Sequence, residues 1–392
     1  MAVISEYDVR SAARSGQRRL VVPPGAIITP QAIEVAESAG VELRHDDPPA
    51  AVPGIDPSRA IQRLLLKRSP RWRAPEPRRG MTPTRFTRVA FVGSGMVGTT
   101  TAHLTAMTGM ADELTIIDVM PGLAAATALD IEHASGITGA PTRARGGTSL
   151  ELVAGADVVV VTAGRPRTPG MTRAGLLEIN GRVVRDVAEA IGAHAPAAVV
   201  IVVTNPVDEM THELWRASGL RDHQVMGMAG TLDSSRFRNA LAEAAGVQPA
   251  DVWAIALGSP GAGMVPVLST ATIKGRSARD VLSAAKLEQC VQLAVDGGAA
   301  VVALRKTGSA FIAPAHAVVE VLEALRGATS EPLPVSVMLH GEYGLDGVFL
   351  GVRARLARNG VAEVVEDHLS DDEARLVAKA AAAIRDRLAG AS

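Results

Sequence analysis

Four short runs of almost unbroken aliphatic character limit what this chain can become: TRVAFVG at 87–93, LTIID at 114–118, DVVVVTAG at 157–164 and AVVIVVTN at 198–205. A strand with one wet face alternates apolar and polar residues. These runs do not alternate, so both of their faces must be buried. Helical patterns separate them, and strands of this kind alternating with helices form a parallel sheet covered by helices on both sides. The longest run is far shorter than the roughly 20 residues needed to cross a bilayer, so it reads as a buried strand.

Composition removes other classes. Across 392 residues the net charge is -1 and aromatics make up 3%. The chain therefore has no global field that would attract nucleic acid or membrane, and few rings on which bases stack. The opening MAVISEYDVRSAARSG mixes charges, and no apolar core follows a basic start, so a secretory signal is not expected and a cytoplasmic location is. Cys290 is the sole cysteine; it reads as a buried, inert thiol, and no metal site is expected.

Texture divides the chain into four regions. Residues 1–48 read as a small αβαβ unit: Ser5 caps a first helix that Gly16 ends, RRLVVPPG makes a strand and turn, and Thr29 with Pro30 opens a helix that closes on Gly40 before VELR. Residues 49–85 read as a linker broken by prolines and rich in arginine, within which SRAIQRLLLKR has the spacing of one short amphipathic helix. Residues 86–230 carry the strand–helix series, and 231–392 form a further α+β region.

RVAFVGSGMVG sets Gly93, Gly95 and Gly98 in a G-x-G-x-x-G pattern directly after a strand and before a helix, with Met96 and Val97 inside it. The first glycine permits the tight turn, the second lets the backbone approach a pyrophosphate, and the third lets helix and strand pack closely. The helix start then offers free N–H groups to phosphate. Asp118 ends the next strand, where a carboxylate binds ribose hydroxyls and repels a 2′-phosphate. This pattern predicts NAD rather than NADP.

Further along, AGRPRTPGMTRAGLLEIN leaves the carboxyl edge of the sheet with Arg165, Arg167 and Arg173, a dense cationic group. Asn205 ends the next strand, and Asp233 and Arg236 lie three apart on one helix face. With R-x-PGM-x-R, TNPVD, GMAG-x-LDS-x-RFR and TGSA-x-x-AP in place, the chain from about 86 onward resembles the lactate/malate dehydrogenase family, and most of all its lactate-dehydrogenase-like malate dehydrogenases. The resemblance implies an NAD-binding Rossmann domain followed by an α+β catalytic domain, a homo-oligomer (dimer or tetramer), and hydride transfer between NAD and malate or oxaloacetate.

The resemblance also implies residue roles. Arg236 would hold the substrate C1 carboxylate as a bidentate fork, Arg173 would polarise the reacting carbonyl, and Arg167 would meet a second carboxylate, favouring a dicarboxylate. Asn205 would hydrogen-bond near the hydroxyl and the nicotinamide, Ser309 would line the pocket, and Asp233 would orient a catalytic histidine.

That histidine is missing. Where the family has G-x-H-G-D-x-M-V-P, this chain reads LGSPGAGMVP, with Pro260 at the histidine position and Ala262 at the aspartate position. A proline can neither take nor return a proton. His133, His194, His212, His316 and His340 all fall in segments that read as helix or strand flanks, away from Asn205 and Asp233. The sequence therefore predicts a weak or inactive malate dehydrogenase. The alternative is a non-catalytic NAD-binding regulatory or scaffold subunit. Residues 1–85 are then the candidate for binding a protein partner, and PPGAIITPQAIEVAESAGVEL distantly resembles short segments of bacterial microcompartment-associated enzymes.

Overall fold

The computed structural model describes residues 3–4, 6–22, 27–45, 83–165, 173–306 and 308–390. It divides into two compact units, residues 1–68 and 69–392. Most of the linker region, including SRAIQRLLLKR, lies outside the described residues, as do Ser5 and Arg167.

The small unit contains strands β1 (Val3–Ile4), β2 (Arg19–Val22), β3 (Ile27–Ile28) and β4 (Glu42–His45), with helices α1 (Glu6–Arg14) and α2 (Pro30–Ala39). β1 pairs in parallel with β3, and β2 with β4, giving two separate two-stranded sheets. Strands β1 and β3 add to the αβαβ pattern expected from the sequence. Val9, Val22, Ala32 and Val41 form its modest core. Thr29 Oγ1 accepts the Ala32 N–H at 3.2 Å, Pro30 occupies the first helical position, and Gly40 closes α2 in the left-handed region at φ 67°. Thr29→Ala should lower the stability of this unit by about 1 kcal/mol, the usual worth of a cap, which amide hydrogen exchange across residues 30–39 would register.

The large unit is built on an eleven-stranded sheet. Its parallel half runs β5 (Phe86–Val92), β6 (Ala111–Ile117), β7 (Arg143–Gly147), β8 (Val158–Val161), β9 (Val199–Val202) and β10 (Val225–Gly227), in the spatial order β10-β9-β8-β5-β6-β7. The four aliphatic runs of the sequence all lie in this half. Val158 to Val161 have no exposed surface, as strands covered on both faces require. Helices α3 (Met96–Met107), α4 (Leu123–Thr138), α5 (Arg173–His194) and α6 (Val207–Ser218) form the crossovers.

The second half joins the same sheet through an antiparallel seam between β10 and β16 (Leu333–His340), with Gly227 opposite Ser336. From β16 the sheet continues through β17 (Asp346–Ala357), β12 (Ala256–Ser259) and β13 (Gly263–Pro266), and β18 (Gly360–Val364) pairs with β17. The segment VWAIALG, which reads as one strand in the sequence, is two. Val252–Trp253 (β11) pairs with Thr272–Ile273 (β14) in a small three-stranded sheet, and the chain then crosses at Ala254–Ile255 to enter the large one. Strand β15 (Arg276–Ser277) completes the small sheet, and a one-turn helix α8 (Ala278–Val281) follows.

Helices α7 (Gly230–Ala245), α9 (Ala284–Arg305), α10 (Ile312–Leu325) and α11 (Asp371–Ala389) pack around this half. By length and apolar content α9 resembles a membrane-crossing helix. Here it lies against α7 with Leu287, Cys290 and Ala294 buried. Burial pushes the Cys290 thiol up, away from the thiolate form, in keeping with an inert residue.

Candidate NAD and dicarboxylate site

The glycine turn is built by close approach. Gly93 has φ 109°, and a Cβ there would lie 2.6 Å from Thr162 Oγ1 and 2.7 Å from the Ala163 nitrogen on the neighbouring strand end. A Cβ on Gly98 would lie 2.0 Å from the Gly93 carbonyl oxygen, so helix α3 sits against the turn with no room for a side chain. At Gly95, by contrast, a Cβ would meet open space. Gly95 is the N-cap of α3 and offers no side chain to cap it, which leaves first-turn N–H groups near Met96 and Val97 for an external acceptor. A cradle of this shape fits a pyrophosphate.

Asp118 stands at the end of β6, half-buried, and accepts the Ser94 N–H at 2.7 Å and the Met120 N–H at 2.9 Å. It therefore faces the glycine turn where a ribose would lie. Ser94 also shares a hydroxyl contact with Thr127 at 2.8 Å, which ties the turn to α4. Met96 reaches the other half of the unit: the Arg305 guanidinium lies 3.4 Å from its sulfur, and a Cβ on Gly308 would touch its methyl. This contact brings the segment bearing Ser309, an exposed residue, beside the start of α3.

Asn205 is exposed at the sheet's carboxyl edge, before α6. Asn180 of α5 is buried and holds this region together. Its Nδ2 donates to the Asn205 carbonyl at 2.7 Å and to the Arg165 carbonyl at 3.2 Å, and its Oδ1 accepts the Arg165 N–H at 2.8 Å. Sequence reading missed Asn180. The available signal was a single amide on an otherwise apolar helix face in LLEINGRVV. Arg173 opens α5 from its first residue, and its side chain lies outside the described set.

Asp233 and Arg236 face each other on α7, with Nη1 2.9 Å from Oδ1. The Asp233 side chain is 5% exposed, and burial pushes its carboxyl above the usual range against the opposing pull of Arg236. Helix α9 passes close to the same guanidinium: a Cβ on Gly297 would lie 3.1 Å from Arg236 Cδ. The partner that the structure gives Asp233 is thus an arginine.

Pro260 and Ala262 lie in the three-residue turn between β12 and β13, closed by Ser259 pairing with Gly263 and by the Met264 N–H donating to the Gly261 carbonyl at 2.9 Å. Gly261 takes φ 82°. The frame of the turn is complete in backbone hydrogen bonds, and the side chains at 260 and 262 contribute no ionisable group to it. Of the histidines considered, His212 is held neutral by burial and packs on Trp215 and Phe349, while His340 contacts Asp222 at 2.5 Å. His316 sits on α10 over a cleft of about 290 Å³ between α10 and α7, facing Ser235 and Arg238 on the opposite side of α7 from Asp233.

Residues 87–227 match the lactate/malate dehydrogenase NAD binding domain, and residues 230–391 the lactate/malate dehydrogenase alpha/beta C-terminal domain. A malate dehydrogenase of Trichormus variabilis is 42% identical over 304 residues, 78% of this chain and 94% of that protein. One from Cereibacter sphaeroides is 40% identical over 303 residues, 76% and 94% respectively. Among solved structures, Cryptosporidium parvum malate dehydrogenase superposes with a TM-score of 0.76 at 36% identity, covering 79% of this chain and 99% of that one. The lactate dehydrogenase of the same organism, complexed with lactic acid and nicotinamide adenine dinucleotide, gives 0.75 at 32% identity, covering 79% and 99%.

Gly98→Ala should disrupt the turn. Overpacking of this kind typically costs about 1–3 kcal/mol, and because the clash is with backbone, NADH binding should be lost along with it. Thermal melting and NADH fluorescence titration of the variant check both effects.

Proposed function

Since the chain belongs to the lactate/malate dehydrogenase family, we propose that it retains the family's ligand sites and has lost the proton relay that drives turnover. NAD is the family's cofactor and, when bound, accepts or supplies the hydride. The other roles fall to this chain's side chains. Arg236 grips the C1 carboxylate of malate or oxaloacetate, Arg167 the second carboxylate, and Arg173 steadies charge growing on the reacting oxygen. Asn205 orients the hydroxyl, and Ser309 closes the pocket wall. Gly93, Gly95, Met96, Val97 and Gly98 carry the pyrophosphate, and Asp118 carries the ribose.

The observation behind this reading is the pairing of Asp233 with Arg236 in a chain whose β12–β13 turn carries Pro260. In a working relay Asp233 would stabilise an imidazolium. Here it neutralises the arginine meant for substrate, so the same substitution weakens both proton transfer and substrate capture. A positioned acid or base is worth about 10²–10⁴-fold in rate. Oxaloacetate reduction should therefore be negligible in a steady-state assay and partly restored by Pro260→His with Ala262→Asp. A wild-type rate comparable to ordinary malate dehydrogenases would refute the lost relay.

NADH should still bind saturably, and a titration of nicotinamide fluorescence without a saturable signal would refute the retained cofactor site. Asp233→Asn should also release Arg236. A charge-assisted pair is worth about 1.5–3 kcal/mol, so oxamate should bind the NADH complex about tenfold or more tighter in calorimetry.

The same pairing favours a second reading, a non-catalytic NAD-binding subunit. A homo-oligomer, dimer or tetramer, is what membership of the family leads us to expect of such a subunit. Residues 1–85 are the segment through which such a subunit would reach a protein partner or microcompartment. Deleting them and comparing localisation and partner binding tests that role.

A further inference from the structure

Asp208, in the first turn of α6, is fully buried, as is its neighbour Glu209. Both side chains leave the NAD-binding half of the sheet and meet the other half. Glu209 pairs with Arg387 of α11. Asp208 Oδ1 accepts the Ser336 hydroxyl of β16 at 2.7 Å, and the Ser259 hydroxyl at the end of β12 approaches the same carboxyl. Its Oδ2 has no hydrogen-bond partner among the described residues. Asp208 thus lies three residues after Asn205 and bonds to β16 across the seam between the two halves of the sheet.

We infer that Asp208 is a positioning residue of the site: its buried carboxyl, bonded to the Ser336 hydroxyl, latches the turn bearing Asn205 to the antiparallel half of the sheet. The inference rests on the reading that Asn205 borders the cofactor. The carboxyl's bonding contacts are hydroxyls, not cations. The nearest cation, Arg387, is taken by Glu209, so an ionised Asp208 would place two carboxylates side by side in a dry interior. His212, one turn along α6, is pushed toward its uncharged form by burial. Burial, then repulsion from Glu209, raises the Asp208 carboxyl to about 7, against the opposing pull of Ser259, Ser336 and Arg387.

An acid whose folded pKa lies above its unfolded value holds its proton more tightly when folded. Its contribution is complete near pH 4 and below, and is lost as pH rises to about 7. The test compares wild type, Asp208→Asn and Ser336→Ala, full-length, by thermal melting without cofactor and by NADH titration between pH 5 and 8.5. Asn mimics the neutral acid, so Asp208→Asn should differ least from wild type at pH 5 and gain relative melting temperature as pH rises to about 7. Wild-type NADH affinity should weaken about threefold or more across the range by ionisation of Asp208 while the Asn variant stays flat.

Ser336→Ala removes a donor that favours the ionised form, so its melting break should move to higher pH. Parallel profiles for wild type and Asp208→Asn, an Asn variant that fails to fold, or an unmoved break in Ser336→Ala would each overturn the latch. If wild type binds no NADH at any pH, the cofactor reading fails, while the melting profiles still decide the state of Asp208.

Discussion

The large unit depends on how closely helix α6 approaches the sheet at the seam between its two halves. Gly227 faces Ser336 there in one antiparallel step. A Cβ on Gly227 would lie 2.6 Å from Thr211 Oγ1 and 3.0 Å from Ser336 Cβ, so α6 rests almost on the backbone. Only that proximity lets Asp208 and Glu209 reach residues more than a hundred positions away. The parallel half and the antiparallel half become a single sheet through it. The cofactor turn and the Pro260 turn consequently share one rigid base, although one comes from the start of the unit and the other from its middle.

Much of this was legible in the sequence where a physical signal was local. The aliphatic runs announced strands buried on both faces, Thr29 and Gly40 marked the ends of α2, and the glycine spacing with Asp118 announced a nucleotide turn. The Asp233–Arg236 contact followed from helical spacing alone. What escaped were features that depend on distant partners. Nothing in VWAIALG tells where its chain leaves one sheet for another, because that is decided by pairing with Thr272–Ile273. Asn180 earns its role only once Arg165 and Asn205 fold beside it. Asp208 reads in sequence as an ordinary helix-start acid, which favours the N-terminal dipole, and nothing local says that its oxygens point into the interior.

As proposed, the site joins an intact frame to altered chemistry. The glycine turn and Asp118, proposed to hold pyrophosphate and ribose, share no residue with the Pro260 turn. Arg236, the arginine proposed for the substrate carboxylate, is engaged by Asp233. On the proposed reading, binding and proton transfer fall to separate elements: the parallel half holds the glycine turn, and the β12–β13 hairpin holds Pro260.

That hairpin has a wider consequence. Its register is fixed by Ser259 against Gly263 and by the Gly261 carbonyl, backbone contacts to which the side chain at 260 does not contribute. A change of side chain at this turn can therefore alter its chemistry while the pairing that closes the hairpin stays in place.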